Sequence, residues 1–221
     1  MPRADVAPTR AREFQNRGGI CGKLFSDGAM NTPDAGPSRW ETLGRRSLAK
    51  TRIFDLDEVH FRHPVRETER NFVVLHPPDW VNVIALTPDH QLVLVKQFRF
   101  GLDDFALEIP GGVVDAGEDF LAGGVRELLE ETGYAGKNPR VLGTVAPNPA
   151  MQSNRCHLVM VTDAMPAGKV AWDPDEEIAV SLQPVDEVLA LARTGGITHS
   201  LVLNALFLFE PWWRELKGRG V

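Results

Sequence analysis

Cysteine is scarce in this sequence, and long apolar runs are absent from it. Among 221 residues only Cys21 and Cys156 are cysteines, and they form no CxxC pair. This scarcity argues against a disulfide scaffold and against a structural zinc site. No apolar run approaches the roughly 18 residues that a membrane span requires, and the N-terminus lacks the apolar core of a secretory signal. We therefore expect a cytoplasmic protein without a membrane partner.

Positive charge is not in excess either. The chain carries 24 lysines and arginines against 30 aspartates and glutamates, which gives a net charge of −6 and a pI of about 5.5. No global positive field therefore attracts the protein to nucleic acid or to an anionic membrane. A phosphorylated substrate would need local cations, which means arginines or a bound metal ion.

The first 40 residues differ from the remainder of the chain. They contain Gly, Pro, Asp and Arg without sustained periodicity, which predicts a flexible N-terminal tail over 1–40. An organelle transit peptide is the alternative, because the opening of this segment is rich in arginine. After the tail, an N-terminal β region is predicted over 41–77, and a larger domain is predicted over 78–221.

Short segments rich in β-branched and aromatic residues dominate after residue 50. TRIFDL, NFVVL and WVNVIALT are of this kind, and each is bounded by polar or proline-containing breaks. Thr87-Pro88-Asp89-His90 has the chemistry of a turn, with Pro88 suited to the second position. Together with the following QLVLVKQF, it predicts a β-hairpin over 80–98.

One helix is predicted over 119–132, directly after a glycine-rich loop at 111–117. Further strands are predicted at RVLGTVA, CHLVMV and IAVSL. Two closing helices are predicted over 185–192 and 199–210, separated by Gly195-Gly196. Strands that enclose one helix and are followed by more helices predict an α+β fold organised as a mixed sandwich.

The segment GGVVDAGEDFLAGGVRELLEETGY, residues 111–134, combines glycines with several carboxylates. Its glycines can adopt positive φ and let the backbone approach a ligand. Glu127, Glu130 and Glu131 are spaced i, i+3 and i+4, so they share one helical face. These like charges repel each other, but they become favourable around a hard cation such as Mg²⁺ or Mn²⁺. A solvated acidic surface is the alternative; the lack of interspersed lysines favours a metal site.

The spacing of this segment resembles the Nudix signature: Gly, five residues, Glu, seven residues, then Arg-Glu-apolar-x-Glu-Glu-x-Gly-apolar. The matching residues are Gly112, Glu118, Arg126, Glu127, Leu128, Glu130, Glu131 and Gly133, while Tyr134 stands where an aliphatic residue is usual. The resemblance implies a Nudix-type α/β/α sandwich with a mixed β-sheet, preceded by a small antiparallel β region. The signature itself, the Nudix box, would span residues 112–134.

The resemblance also implies a metal-dependent hydrolase that uses Mg²⁺, with Mn²⁺ as the alternative. The implied metal ligands are Gly111, through its carbonyl, and Glu127, Glu130 and Glu131. Arg126 would orient the glutamates by charge-assisted hydrogen bonds, and Glu118 would support the start of the helix. The reaction would be attack of an activated water on phosphorus, with the metal neutralising the developing charge.

The flanking residues resemble the branch that cleaves ADP-ribose and nucleotide sugars. LVKQFRFGLDDFALEIPGG precedes the box, and Pro147 and Pro149 follow it, although this branch more often carries Pro-Ser-Pro-Gly there. The predicted substrate-binding residues are Arg99, Glu108, Trp80 and Asn154. A solvent-facing strand residue is the alternative for Arg99. Trp80 or Trp40 could stack on a nucleobase, although core packing is the more common role of such an aromatic.

The resemblance to this branch implies that the catalytic base lies in an acidic loop well after the box, and AWDPDEEIAVSL is that stretch here. Its candidates are Glu176 and then Glu177, with Asp173 and Asp175 nearby and Glu130 of the box next; a solvated loop is the alternative. We therefore predict hydrolysis of a small-molecule nucleoside diphosphate linked to a sugar. The alternatives are a nucleoside triphosphate or coenzyme A pyrophosphatase and a non-catalytic ligand sensor. Members of this branch dimerise through an N-terminal strand region. We therefore predict that residues 41–77 form the contact of a homodimer.

Overall fold

A computed structural model describes residues 36–172, 174 and 176–219. Most of the predicted tail, residues 1–35, lies outside these described residues, as do Asp173 and Asp175. The chain divides after Arg39, and all regular elements belong to the second unit. They are β1 (Glu41–Lys50), β2 (Asp55–Arg62), β3 (Glu69–His76), β4 (Trp80–Ala85), β5 (Gln91–Arg99), β6 (Asp104–Glu108), β7 (Gly111–Val113), α1 (Phe120–Thr132), β8 (Tyr134–Val145), β9 (Cys156–Pro166), β10 (Ala179–Pro184), α2 (Val185–Thr194) and α3 (Ser200–Gly218).

The first three strands form an antiparallel sheet of their own, in the order β1-β2-β3. Every residue of β1 is exposed, because this strand lies at the edge of the sheet and covers no core. Val59 in the central strand is the buried residue of this sheet. The predicted antiparallel β region before the main domain is therefore confirmed.

Two further sheets form the main domain, with orders β7-β4-β9-β8 and β10-β5-β6. β4 and β9 run parallel and every other pairing is antiparallel, so the larger sheet is mixed. Both faces of β4 and β9 are buried, because α1 packs on one face and α3 on the other. The predicted α+β fold with an α/β/α sandwich is confirmed.

Alternation along the strands divides the interior into two apolar clusters. In β4, Val81, Val83 and Ala85 face the cluster that contains Leu128 of α1. Their neighbour Ile84 faces the cluster built by α2 and α3. The second cluster is the larger, and its helical members are Val185, Val188, Leu189, Leu201, Val202, Ala205, Leu206, Phe209 and Trp213.

Two local predictions are corrected by the fold. The hairpin over 80–98 keeps its turn, where the His90 N–H donates to the Thr87 carbonyl at 3.0 Å, but its strands belong to different sheets. They meet only at the Leu86–Leu92 bridge, because β7 and β9 occupy both edges of β4. The glycine-rich loop likewise begins as a strand, since β7 pairs with β4.

The closing helices are confirmed in place and extend further than predicted. α2 ends at Thr194 and α3 continues to Gly218, with Pro211 inside it. Among the described residues, none of the helices is long and apolar enough to cross a membrane.

Candidate active site

A cavity of about 1000 Å³ opens where β4, β5, β7, α1 and the start of α3 meet. Its charged lining consists of Glu108, Asp115, Glu127, Glu130, Glu131 and Glu176 against Arg99 and Arg126. Six carboxylates against two guanidinium groups leave an excess of four negative charges when all are ionised. Because like charges repel, such a cavity accepts an anionic ligand only if cations accompany it.

Helix α1 is held at both ends, which fixes the direction of its side chains. Asp119 caps the N-terminus by accepting from two backbone N–H groups of the first turn, at 3.0 and 3.2 Å. Gly133 ends the helix in the left-handed conformation, with φ 72°. Leu128 is fully buried against the sheet. The remaining face of α1 therefore lines the cavity with the three carboxylates predicted from spacing, Glu127, Glu130 and Glu131.

Arg126 lies among the carboxylates of the box. Its Nε and Nη2 donate to the two oxygens of Glu118 at 3.0 and 2.9 Å. Its Nη1 donates to Glu127 and to Glu130, at 2.9 Å each. These hydrogen bonds lower the pKa of Glu118 and raise the pKa of Arg126. One guanidinium therefore holds three carboxylates together that would otherwise repel each other.

Gly111, directly before the box, and Gly112, its first residue, are required by lack of space. A Cβ on Gly111 would lie 2.2 Å from the Val81 carbonyl oxygen, and one on Gly112 would lie 2.5 Å from Glu127 Cδ. Positive φ was expected for the glycines of this loop. Gly117 adopts it, with φ 83°, whereas Gly111 and Gly112 do not. The missing side chains let β7 approach both β4 and the carboxylates of α1.

Glu131 is the most buried carboxylate of α1, with 3% of its surface exposed. Its Oε2 accepts a hydrogen bond from the Gly111 N–H at 2.9 Å. Burial raises the pKa of Glu131 to about 8; the Gly111 hydrogen bond opposes this, and the neighbouring charges of Glu127 and Glu176 add to it. Burial also raises the pKa of Glu127. Both carboxylates therefore lie where a positive charge would stabilise their ionised forms.

Arg99 of β5 and Glu108 of β6 form a bidentate ion pair that lines the cavity. Arg99 Nε and Nη2 donate to the two oxygens of Glu108 at 2.7 and 2.6 Å. The Glu108 side chain is 3% exposed and that of Arg99 is 41% exposed. Hydrogen bonding to Glu108 raises the pKa of Arg99, against the effect of burial. A guanidinium has five N–H donors, so Arg99 keeps donors for a ligand in the cavity.

The donor chemistry fits a hard divalent cation, although the ligands are not assembled around one. Within the described part of the chain, no three acidic, histidine or cysteine side chains converge closely enough to hold a metal ion. The hydrogen bonds explain this, because Arg126 engages Glu127 and Glu130 while Glu131 accepts from Gly111. Carboxylate oxygens are nonetheless the ligands that Mg²⁺ and Mn²⁺ prefer, and the excess of negative charge favours such ions.

The predicted catalytic bases occupy different positions. Glu176 lines the cavity, whereas Glu177 is not among the described residues that line it. Asp173 and Asp175 lie outside the described residues. The assignment of the base to one of these acids stays a prediction.

The predicted substrate-binding residues divide in the same way. Trp80 lines the cavity together with Arg99 and Glu108. Asn154 is buried, and its Nδ2 donates to the Pro78 carbonyl at 2.9 Å; it is not among the described lining residues. The structure therefore brings three of the four together. Their contacts with substrate stay predictions.

Phe100 and His199 are among the cavity residues that were not predicted from the sequence as site residues. Phe100 is 82% exposed and lies at the rim, where it packs edge to face on Phe98 at 5.5 Å. His199 lines the cavity at the start of α3. By contrast, His157 is not among the described lining residues and stacks on Phe120 at 4.1 Å. Phe100 directly follows Arg99, and this adjacency was the available signal.

Comparison with known proteins agrees with this fold. The family model described as NUDIX domain matches residues 76–203, more than half of the chain. The chain belongs to the Nudix family, and the prediction of a Nudix hydrolase is confirmed.

Individual relatives cover most of the chain. The chain is 30% identical to a methanol dehydrogenase activator from Bacillus methanolicus, over 84% of this chain and 93% of that protein. It is 26% identical to an ADP-ribose pyrophosphatase from Bacillus subtilis, over 75% of this chain and 90% of that protein. A crystal structure of an ADP compounds hydrolase superimposes with a TM-score of 0.72, covering 84% of this chain and 98% of that one at 22% identity. This last likeness concerns the fold.

Proposed function

We propose that this chain is a divalent-cation-dependent hydrolase that cleaves the diphosphate bond of a nucleoside diphosphate linked to a sugar. ADP-ribose is the favoured substrate, and the products are a nucleoside monophosphate and a sugar phosphate. The observation that carries the proposal is the cavity itself, in which six carboxylates stand against two arginines. A diphosphate enters such a cavity only together with cations. The similarity to a protein named ADP-ribose pyrophosphatase supports the substrate class.

The residues of the box bind the ion. Glu127, Glu130 and Glu131 supply carboxylate oxygens, and Mg²⁺ is the proposed ion, with Mn²⁺ as the alternative. When bound, the ion neutralises the negative charge of the diphosphate as the phosphorus–oxygen bond breaks. Arg126 holds the Glu127 and Glu130 side chains in position through its hydrogen bonds. Arg99 binds one phosphate with the N–H groups that Glu108 leaves available.

The rim offers a surface for the nucleobase. Phe100 presents an exposed ring beside Arg99, and its contact with Phe98 restricts its orientation. Stacking of a base on an aromatic side chain contributes about 1–3 kcal/mol. Trp80 lies on the β4 wall and offers a second aromatic contact. This arrangement supports a substrate with a group on each side of the diphosphate.

Glu176 is the proposed general base. It lines the same cavity as Glu131, and its charge acts on the pKa of Glu131. Glu176→Gln should lower kcat by about 10²–10⁴-fold. The matched variant Glu177→Gln should change kcat much less, because its side chain is not among the described lining residues. Small and equal effects of the two substitutions would move the base elsewhere, with Glu130 as the next candidate.

A substrate panel tests the proposal as a whole. ADP-ribose, nucleoside diphosphate hexoses, coenzyme A and nucleoside triphosphates are compared with Mg²⁺ present and with the ion removed by a chelator. We expect the highest kcat/KM for ADP-ribose or a nucleotide sugar, no turnover without the ion, and no release of pyrophosphate. Fastest release of pyrophosphate from a triphosphate would favour the alternative of a triphosphate pyrophosphatase. Ligand binding without turnover of any substrate would indicate a sensor.

A second copy of the chain is the proposed macromolecular partner. β1 is an edge strand with all ten residues exposed, and an unpaired edge is a template for pairing with another chain. Leu43, Leu48, Phe72 and Val73 add exposed apolar surface to this sheet. Sedimentation should give twice the chain mass of 24.4 kDa, and Leu48→Glu should shift the protein toward the monomer. A monomer for the unmodified chain would contradict the dimer.

A further inference from the structure

The residues that follow β9 contact the C-terminal end of the box helix. The Ala167 and Gly168 N–H groups donate to the Gly133 carbonyl at 2.8 and 3.1 Å. The Ala171 N–H then donates to the Glu130 carbonyl at 2.8 Å. Residues 167–172, here called the strap, therefore run along the end of α1 before the chain reaches Glu176.

Trp172 makes the last of these contacts. Its indole Nε1 donates to the Glu131 carbonyl at 2.8 Å. The last four carbonyls of an α-helix accept no hydrogen bond from N–H groups within the helix. Their hydrogen-bond donors therefore come from elsewhere. The strap supplies partners to two consecutive carbonyls, and these belong to Glu130 and Glu131. A loop that only filled space beside α1 would not need to place N–H donors against these helix carbonyls.

The proposed base follows the strap closely in the sequence. Glu176 follows Trp172 by four residues and lines the cavity, as does Ala171 of the strap. Trp172 itself is 39% exposed and is not among the described lining residues. Its hydrogen bond therefore ties the chain that carries Glu176 to the helix that carries the metal-binding carboxylates.

We propose that Trp172 is a positioning residue, which fixes the distance between Glu176 and the carboxylates of α1 by hydrogen bonding to the Glu131 carbonyl. This inference rests on the proposed function, and specifically on Glu176 as the general base. Removal of the indole N–H frees the strap from one of its two anchors on α1. The base then samples positions away from the attacking water, and misplacement of a reacting group lowers the rate.

Trp172→Phe is the test, because it keeps an aromatic ring and removes only the donor. We expect kcat to fall by about 10- to 100-fold, with KM for ADP-ribose changed by less than about twofold if Trp172 does not touch substrate. Trp212→Phe is the matched control: Trp212 packs on Phe209 and under the Arg140 guanidinium, away from the cavity, and its kcat should stay unchanged.

A double-mutant cycle separates positioning from general damage. In the Glu176→Gln background, Trp172→Phe should lower kcat by less than about twofold, because the group that it positions is gone. An equal loss in both backgrounds would overturn the inference and assign Trp172 a role independent of the base. A rise in KM at unchanged kcat would overturn it in favour of a substrate contact. If Glu176→Gln alone leaves kcat unchanged, the base assignment in the proposed function fails and the inference fails with it. An unchanged kcat of Trp172→Phe in the native background, beside a large loss for Glu176→Gln, would overturn the inference alone.

Discussion

Helices α1 and α3 pack on opposite faces of the same strands, and they use their surfaces in different ways. α3 has 19 residues and buries Leu201, Val202, Ala205, Leu206, Phe209 and Trp213. α1 has 13 residues, and its buried set consists of Gly123, Gly124, Leu128, Glu131 and Thr132. A Cβ on Gly124 would lie 3.0 Å from Val81 and 3.2 Å from Val83, so α1 lies very close to β4.

The difference indicates that α3 mainly stabilises the fold, whereas α1 mainly serves the chemistry of the site. α3 contributes a continuous apolar stripe, and burial of such side chains is the main source of folding free energy. α1 uses glycines to approach the sheet and presents its remaining face as carboxylates held by Arg126. Substitutions on the polar face of α1 should therefore affect the rate, whereas substitutions on the apolar face of α3 should affect the free energy of unfolding.

The largest effect is expected at Glu131. Glu131→Gln keeps the shape of the side chain and an oxygen that accepts from the Gly111 N–H, but it removes the charge that a cation needs. The rate should fall by several orders of magnitude while the protein stays folded. Steady-state kinetics with Mg²⁺, together with circular dichroism, checks both parts. Turnover near that of the unmodified protein would show that the metal assignment is wrong.

On the opposite face, Phe209→Ala should have the next largest effect, and on a different quantity. Phe209 is fully buried in the larger apolar cluster. Loss of its ring should lower the free energy of unfolding by about 3–5 kcal/mol. Urea denaturation measures this loss, and kcat is compared at a temperature where both proteins are folded. A large fall in kcat without loss of stability would break the division between the two helices.

Gly112→Ala should give an intermediate effect on the rate. The added methyl group would meet the carboxylate of Glu127, which is the far end of a flexible side chain. Glu127 should move aside, and kcat should fall by about 10- to 100-fold with little change in stability. Gly218→Ala is the control, since a Cβ there meets nothing within 4 Å. Equal activity of the two variants would mean that the position of Glu127 is unimportant.

Asp119→Ala should have the smallest effect, and it compares the starts of the two helices. Asp119 accepts two hydrogen bonds from the first turn of α1. Its loss should lower the free energy of unfolding by about 1 kcal/mol. His199 occupies the same position in α3, where its described side chain makes no capping hydrogen bond, so His199→Ala should lower this free energy less. The reverse order in chemical denaturation would contradict the capping argument.

Much of the site was predicted from the sequence because its parts are local. The spacing of Glu127, Glu130 and Glu131 places them on one face in any α-helix. The predicted helix start at residue 119 agrees with the observed cap, because an aspartate before an apolar segment is a local signal. The predicted strands after the box were also correct in position, since β-branched segments between breaks need no tertiary information.

Other parts could not be predicted from local signals. The hairpin over 80–98 was wrong as a paired unit, because β4 prefers partners from distant parts of the chain. Asn154 was predicted to bind substrate, and its contact with the Pro78 carbonyl depends on how two loops meet. The Trp172 contact with α1 has no sequence signal at all, since it joins residues 41 positions apart.

The sequence by itself determined the family, the box helix with its carboxylates and Arg126, and the order of strands and helices, because all of these follow from spacing along the chain. The tertiary structure alone decided that Arg99 is held by Glu108, that Gly112 faces Glu127, and that the chain leading to Glu176 is tied to the end of α1. These juxtapositions depend on strand register and on the close approach of β7 to α1. Both are fixed by packing of the whole domain, and a local pattern of residues does not contain them.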